Sequence, residues 1–276
     1  MNDGGAALRT SLTLALGPWR HPLTLAAVLI GLFLLIPILI IFPISLTRDS
    51  FLTWPPHLFS LRWFEQLFET PAWTDAISKS VRIAVPVALI ATLIGTLSAI
   101  GLAYASHGRR LLQTLFIAPL VLPIITYALG IYDVSQRFDM TASVWPVILG
   151  QAMLATPIVF IVVSSGLAGR DMQLPYAAAS LGAPAPRVLW HVELPLLRAS
   201  IAASALIALA YSFDEIIIAY FLSPPGSGTL PVQILASTRE TADPTVAAAS
   251  MLVIGVTATI GALLVLARTL LARRSA

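Results

Sequence analysis

Apolar residues fall in six long blocks, and the polar residues gather in the gaps between them. The hydrocarbon core of a bilayer is about 30 Å thick, and a helix needs about 20 residues to cross it. Each block is long enough, so the pattern predicts an all-α polytopic membrane protein with six transmembrane helices. They are placed at about 23–46, 81–106, 111–132, 142–167, 199–222 and 244–267. Pro37 and Pro43 in the first span, and Pro146 and Pro157 in the fourth, are tolerable because neighbouring helices absorb kinks. Pro119 and Pro123 predict a bent or broken third span. In the second span Gly95, Ala99 and Ala103 lie four apart, which lets another helix approach closely. Residues 47–80 are polar and aromatic. There Trp63, Phe64, Leu67 and Phe68 recur at helical spacing among Arg62, Glu65 and Glu69, which predicts an amphipathic helix at the membrane surface. It suits an extracytoplasmic partner, and equally a simple interfacial anchor. A loop with Asp133, Arg137 and Asp139 follows the third span. The connection 223–243 contains PPGSGTLP, a loop by composition.

Composition agrees. The 276 residues are 58% apolar and only 11% charged, with a mean hydropathy of +0.89; soluble domains carry about twice that share of charge. There is no cysteine, hence no disulfide framework and no thiolate metal site. The net charge of +3 comes with fifteen Arg and one Lys, scattered rather than interleaved with aromatics in a nucleic-acid-binding patch. Arg9 and Arg20 precede 27 uncharged residues, too long a run for a signal-peptide core, so the first span is expected to remain. Six spans put both termini on one side. That side holds Arg9, Arg20, Arg109, Arg110, Arg170, Arg187, Arg198, Arg268, Arg273 and Arg274. The other holds Arg48, Arg62, Lys79, Arg82, Arg137 and Arg239 over longer loops. The positive-inside rule makes the ten-residue side cytoplasmic. The expected layout is a cytoplasmic tail at 1–22, a membrane domain at 23–270 with a cytoplasmic loop at 168–198, and a cytoplasmic tail at 271–276.

Within that loop, Leu174 to Leu197 reads as two short helices. Pro175 suits a first helical turn. Gly182 suits the left-handed residue that ends a helix. Pro186 opens the second helix, with Val188, Leu189 and Val192 on one apolar face, and Leu194-Pro195 stops it. Arg187, His191, Glu193 and Arg198 supply a wet side. A knob of this kind suits docking into a groove on another protein.

This stretch resembles the EAA loop of binding-protein-dependent ABC importer permeases. Ala177, Ala178, Gly182, Val192, Leu194 and Pro195 fall at the loop's spacings, and Tyr176 stands where the family has Glu. Resemblance to the spermidine/putrescine-type branch extends over about residues 24–270. It includes FSLRWFEQLF, GTLSAIGLAYASHGRR and SFDEIIIAYFLSPPGSGTLPVQI, and excludes Tyr132 to Met140. The resemblance implies the type I ABC importer permease fold, with Tyr176, Ala177, Ala178, Gly182, Val192, Leu194 and Pro195 coupling the chain to an ATPase. It also implies two cytoplasmic ATP-binding subunits, a second permease chain (a paralogue rather than a copy), an extracytoplasmic substrate-binding protein and a bacterial inner-membrane location. Transport would proceed by alternating access.

Asp214 and Glu215 are the carboxylates well inside a predicted span. Fifteen uncharged residues separate Arg198 from Asp214, which at 1.5 Å each puts the pair about 22 Å along the helix. A charged carboxylate at such depth costs about 2.5–3.5 kcal/mol, so it needs a water-filled path or a cationic partner. Neighbouring residues on a helix point about 100° apart, and Asp214 is the first choice for the pathway, Glu215 the second. Tyr211 and Ser212 are secondary pathway candidates, as is Tyr220. The other readings are a structural ion pair or an interfacial acid. A polyamine would supply the counter-charge; 4-aminobutyrate, an opine, an aminophosphonate or ferric ion are the other solutes of the branch. No P-loop, GxGxxG or HExxH is present, so no cofactor is expected and ATP hydrolysis is assigned to another chain. The four His residues are scattered near predicted membrane edges. An intramembrane enzyme lacks its motif pairs: Tyr132-Asp133 has no GxGD partner. A stand-alone secondary transporter lacks an inverted repeat.

Overall fold

The apolar blocks fold as helices in the computed structural model, which describes residues 19–273 except Thr53, Ser106, Asp171, Met172, Pro225, Gly226, Thr241 and Ala242. The expected N-terminal tail up to residue 18, and the last three residues of the C-terminal one, lie outside these. In chain order the helices are α1 (Arg20–Ser45), α2 (Arg62–Glu69), α3 (Pro71–Tyr104) and α4 (Arg109–Ile117), which runs into a 3₁₀ turn at Ala118–Val121. Then come α5 (Ile124–Arg137), α6 (Trp145–Ala168), α7 (Gln173–Ser180) and α8 (Ala185–Val188), followed by a π-helical turn at Leu189–Glu193. The last four are α9 (Leu194–Asp214), α10 (Ile217–Leu222), α11 (Leu230–Glu240) and α12 (Thr245–Arg273). Among the described residues the one β-type pairing is a bridge between Thr47 and Phe59.

Five helices are long and apolar enough to cross a membrane, and the bent pair α4–α5 makes a sixth if it counts as one span. The centre is α3, α6 and α9, which pack on one another. Val87, Ala91, Ala155, Val159, Val163 and Ala208 are fully buried between them. The small-residue stripe of α3 is what permits this. A Cβ on Gly95 would lie 2.7 Å from Val159 Cγ1 and 2.9 Å from the Thr156 carbonyl oxygen of α6. Gly95→Val is therefore overpacked and is expected to cost about 3 kcal/mol. The check is thermal unfolding of the purified chain in detergent; a variant melting with the wild type would mean that the α3–α6 contact has slack. α12 packs on α9, α2 and α1, while α1 touches the bundle mainly through α12 and is exposed from His21 to Ile40. Its lipid-like surface suits the expected span.

The third block is broken at its proline pair, as expected: α4 and α5 meet at 96°. Pro119 sits in the 3₁₀ turn and Pro123, with ψ of 122°, starts α5. Several elements differ from expectation. Asp133 and Arg137 are on α5 rather than in a loop, paired at 2.8 Å one helical turn apart. Asp139 ends that region with a φ of 54°. Leu194-Pro195 does not stop a helix. The Leu194 N–H bonds back to the Leu189 carbonyl, a wider π turn, and Pro195 needs no backbone bond of its own. The helical path thus runs unbroken from Ala185 to Asp214. The break falls instead at Glu215, whose ψ is 121°. The connection 223–243 contains a helix, α11, with Leu230 and Pro231 buried and the Leu230 N–H donating to Ser80 Oγ at 2.8 Å. The amphipathic α2 is docked on the bundle through Trp63 and Leu67, and Phe68 stays exposed.

Candidate functional site

Two places combine polar chemistry with the central helices. The first is the loop between α6 and α9. α7 ends as its sequence dictates: Gly182 has a φ of +86°, its N–H donates to the Ala179 carbonyl at 2.9 Å, and the Ala183 N–H reaches the Ala178 carbonyl at 3.1 Å. That pair of bonds is a Schellman closure, which needs a left-handed residue at this point. Pro184 then caps α8, and the π turn joins it to α9. Tyr176, Ala177, Gly182 and Pro195 are exposed, while Ala178, Val192 and Leu194 are half-buried. The apolar face Val188–Leu189–Val192 turns towards the bundle, with Leu189 packed on the main core. The outer surface carries Leu181, 89% exposed, and Trp190, 66% exposed, beside Arg187, His191 and Arg198.

Glu193 is a correction: it belongs to no wet side but is 2% exposed. Its carboxylate forms an ion pair with Arg170 and accepts a hydrogen bond from the Tyr104 hydroxyl. Arg170 also donates to that hydroxyl at 3.2 Å, and the Tyr176 ring meets the Tyr104 ring edge-on at 6.3 Å. The arrangement draws on α3, the end of α6 and the turn before α9, which are far apart in sequence. A cavity of about 610 Å³ opens between this cluster and α7.

The second place is the break between α9 and α10. Glu215 is 7% exposed. One carboxylate oxygen accepts the Ile218 N–H at 2.8 Å, and the other accepts the Ala219 N–H at 3.1 Å. From the position before the N-cap residue Ile216, its side chain thus satisfies the N-terminus of α10, favoured there by the unpaired N–H groups of a first helical turn. Gln151 of α6 donates to the same carboxylate at 3.0 Å and accepts from Ser212 Oγ at 2.5 Å. Ser212 is therefore buried in this network, and Tyr211 is half-buried beside it. Asp214 is the last residue of α9 and is exposed, without a hydrogen bond or ion pair among the described residues. Tyr220 is 49% exposed. Gln151 went unnoticed in the sequence; its signal was a lone amide inside an otherwise apolar block. Among the described residues no group of His, Asp and Glu is placed to hold a metal.

Residues 91–276 match the family of binding-protein-dependent transport system inner membrane components. Curated relatives include the putrescine transport system permease protein PotI of Escherichia coli K12, 29% identical over 91% of each chain. The spermidine/putrescine transport system permease protein PotC of Haemophilus influenzae is 28% identical over 80% of this chain and 86% of its own. The putative 2-aminoethylphosphonate transport system permease protein PhnV of Salmonella paratyphi A is 31% identical over 77% and 81%. Among solved structures, a bacterial ABC transporter that imports the acidic polysaccharide alginate superposes with a TM-score of 0.65 at 16% identity, over 90% of this chain and 96% of that one. An amino acid ABC transporter with histidines gives 0.55 at 17% identity, over 74% and 96%. These two establish the all-helical ABC importer permease fold. With the family match over two thirds of its length, the chain belongs to the binding-protein-dependent transport system inner membrane components, as a multi-pass membrane subunit of an importer.

Proposed function

We propose that the chain imports a polyamine, with Asp214 as the carboxylate that meets the cation on its way through. The observation that carries this is the contrast between neighbours: Glu215 is buried with its acceptors used, whereas Asp214 is exposed and unpartnered at a break in the helix. A carboxylate at membrane depth needs a counter-charge or water, and a diffusing polycation meets that need. The putrescine and spermidine/putrescine names of two relatives support the same solute class. Ser212 acts here by holding the break in shape and not as a direct contact, while the half-buried Tyr211 is a secondary contact on the path.

The remaining parts come from the family. Two ATP-binding subunits lie on the cytoplasmic side, where the excess of Arg puts the α6–α9 loop and both termini. The knob Tyr176–Pro195 docks on one of them through Tyr176, Leu181 and Trp190. A second permease chain, a paralogue, completes the pathway, and an extracytoplasmic binding protein delivers the solute. ATP binding draws the knobs together and opens the path outward; hydrolysis resets it. The chain itself carries no ATPase chemistry.

The test is ATP hydrolysis and uptake by the complex rebuilt in lipid, with putrescine, spermidine and 2-aminoethylphosphonate in parallel. The polyamines are expected to stimulate both. A hydrogen bond to a charged group contributes about 1.5–3 kcal/mol, so Asp214→Asn should lower polyamine uptake about tenfold to a hundredfold while basal hydrolysis persists. Stimulation by the aminophosphonate alone would move the solute to a zwitterion. Unchanged polyamine uptake by Asp214→Asn would remove Asp214 from the pathway.

A further inference from the structure

The buried Arg170–Glu193 pair is not accounted for by docking or by the solute path. Tyr104 is the last residue of α3, Arg170 lies just past α6, and Glu193 is the last residue of the π turn that leads into α9. The three helices that make the core therefore have their cytoplasmic ends tied at one point. The pair also closes the base of the knob, since the residues between Arg170 and Glu193 are the knob itself. We propose that this ion pair, gripped by the Tyr104 hydroxyl, is the joint through which movement of the knob is passed to α3, α6 and α9 together.

Three observations carry this. The Arg170 and Glu193 side chains are only 6% and 2% exposed. At that burial their attraction is weakly screened by water and salt, and separating them would leave unpaired charges in an apolar setting, so the base stays shut while the knob is pushed. Buried ion pairs add little net stability compared with apolar packing, and their best-attested use is to fix register. The π turn supplies the register: one extra residue in a helix rotates the segment before it by about 100° relative to the segment after it. That turn aims Glu193 inward while Arg187 and His191 stay exposed. Finally, Tyr176 on α7 reaches the same point through its ring contact with Tyr104, so both arms of the knob bear on the joint.

The test has two arms, and only the second rests on the proposed importer function. The chain has no cysteine, so Leu181→Cys at the knob tip and Leu89→Cys on α3 can be spin-labelled specifically, both being exposed. In the full chain in lipid, one narrow distance is expected for the native pair. Arg170→Met or Glu193→Gln should broaden it, and the exchange Arg170→Glu with Glu193→Arg should narrow it again. In the rebuilt complex, solute imported per ATP hydrolysed is expected to fall about tenfold in either single variant, within the usual range for coupling between sites, with partial recovery in the exchange. Native-like narrow distances in both single variants would overturn the joint whatever the chain transports. An unchanged import-to-hydrolysis ratio in complexes that merely assemble less well would overturn it too, leaving a stability element. If the unsubstituted complex fails to respond to any of the solutes while the distances behave as expected, the polyamine reading fails and the joint stands.

Discussion

Gly182→Pro should abolish solute-stimulated ATP hydrolysis in the assembled complex, whereas Gly182→Ala should keep most of it. The two variants separate conformation from space. Nothing lies within 4 Å of a Cβ at Gly182, so the alanine methyl meets no neighbour. Alanine has only to hold a φ of +86°, a left-handed value that costs about 1–2 kcal/mol outside glycine. Proline cannot hold it at all, because its ring fixes φ near −65°. It also deletes the N–H that reaches the Ala179 carbonyl at 2.9 Å, undoing the Schellman closure and freeing α7 from α8. The exposed apolar residues Leu181 and Trp190 would then no longer be presented as one surface. Loss of stimulation in Gly182→Pro with normal assembly places the defect in coupling. Normal stimulation in that variant would reduce the loop to a connector, and the docking proposal with it.

How far each feature was legible in the sequence depends on how local its causes are. The end of α7 was legible because a left-handed closure and a Pro-rich restart are local: Gly182, Pro184 and Pro186 act within a few residues of themselves. The membrane class was legible for the same reason, since an apolar block reports its solvent directly. The α3–α6 approach was half legible. Gly95, Ala99 and Ala103 announced a close neighbour, but nothing in the stripe named α6 or the Val159 side chain that fills it. Leu194-Pro195 misled because proline usually ends a helix, and the π turn that absorbs it reveals itself only through the Leu194 N–H bond to Leu189. Glu193 misled more deeply. A charged residue between exposed His191 and Arg198 reads as solvated, and only the arrival of Arg170 and Tyr104 from distant helices makes its burial tolerable. α11 was hidden by the Pro- and Gly-rich stretch before it, which dominates the local composition.

Adjacent carboxylates with opposite surroundings should fail in opposite ways. Glu215→Ala removes the cap of α10, whose loss costs about 1 kcal/mol, and leaves the Gln151 amide buried without its acceptor, a penalty of about 1–3 kcal/mol. Together these predict about 3 kcal/mol of destabilisation, read as a lower melting temperature of the purified chain, with α10 loosened against α5. Glu215→Gln should fall in between, since an amide still offers one acceptor oxygen but sets an NH₂ against the donors around it. Replacing both members, Glu215→Ala with Gln151→Leu, should cost less than the two single changes summed, because neither polar group is then stranded. Asp214→Ala should leave the stability within about 0.5 kcal/mol of wild type, as for exposed positions away from special contacts, yet abolish most polyamine uptake. If Asp214→Ala melts as early as Glu215→Ala, the two acids share one structural role, and the cation path needs a different carboxylate. If instead the split holds, the break in the fifth span has a divided logic. Glu215 and Gln151 commit their polar groups to keeping the helix open at that point, and that geometry leaves the preceding carboxylate free for solute.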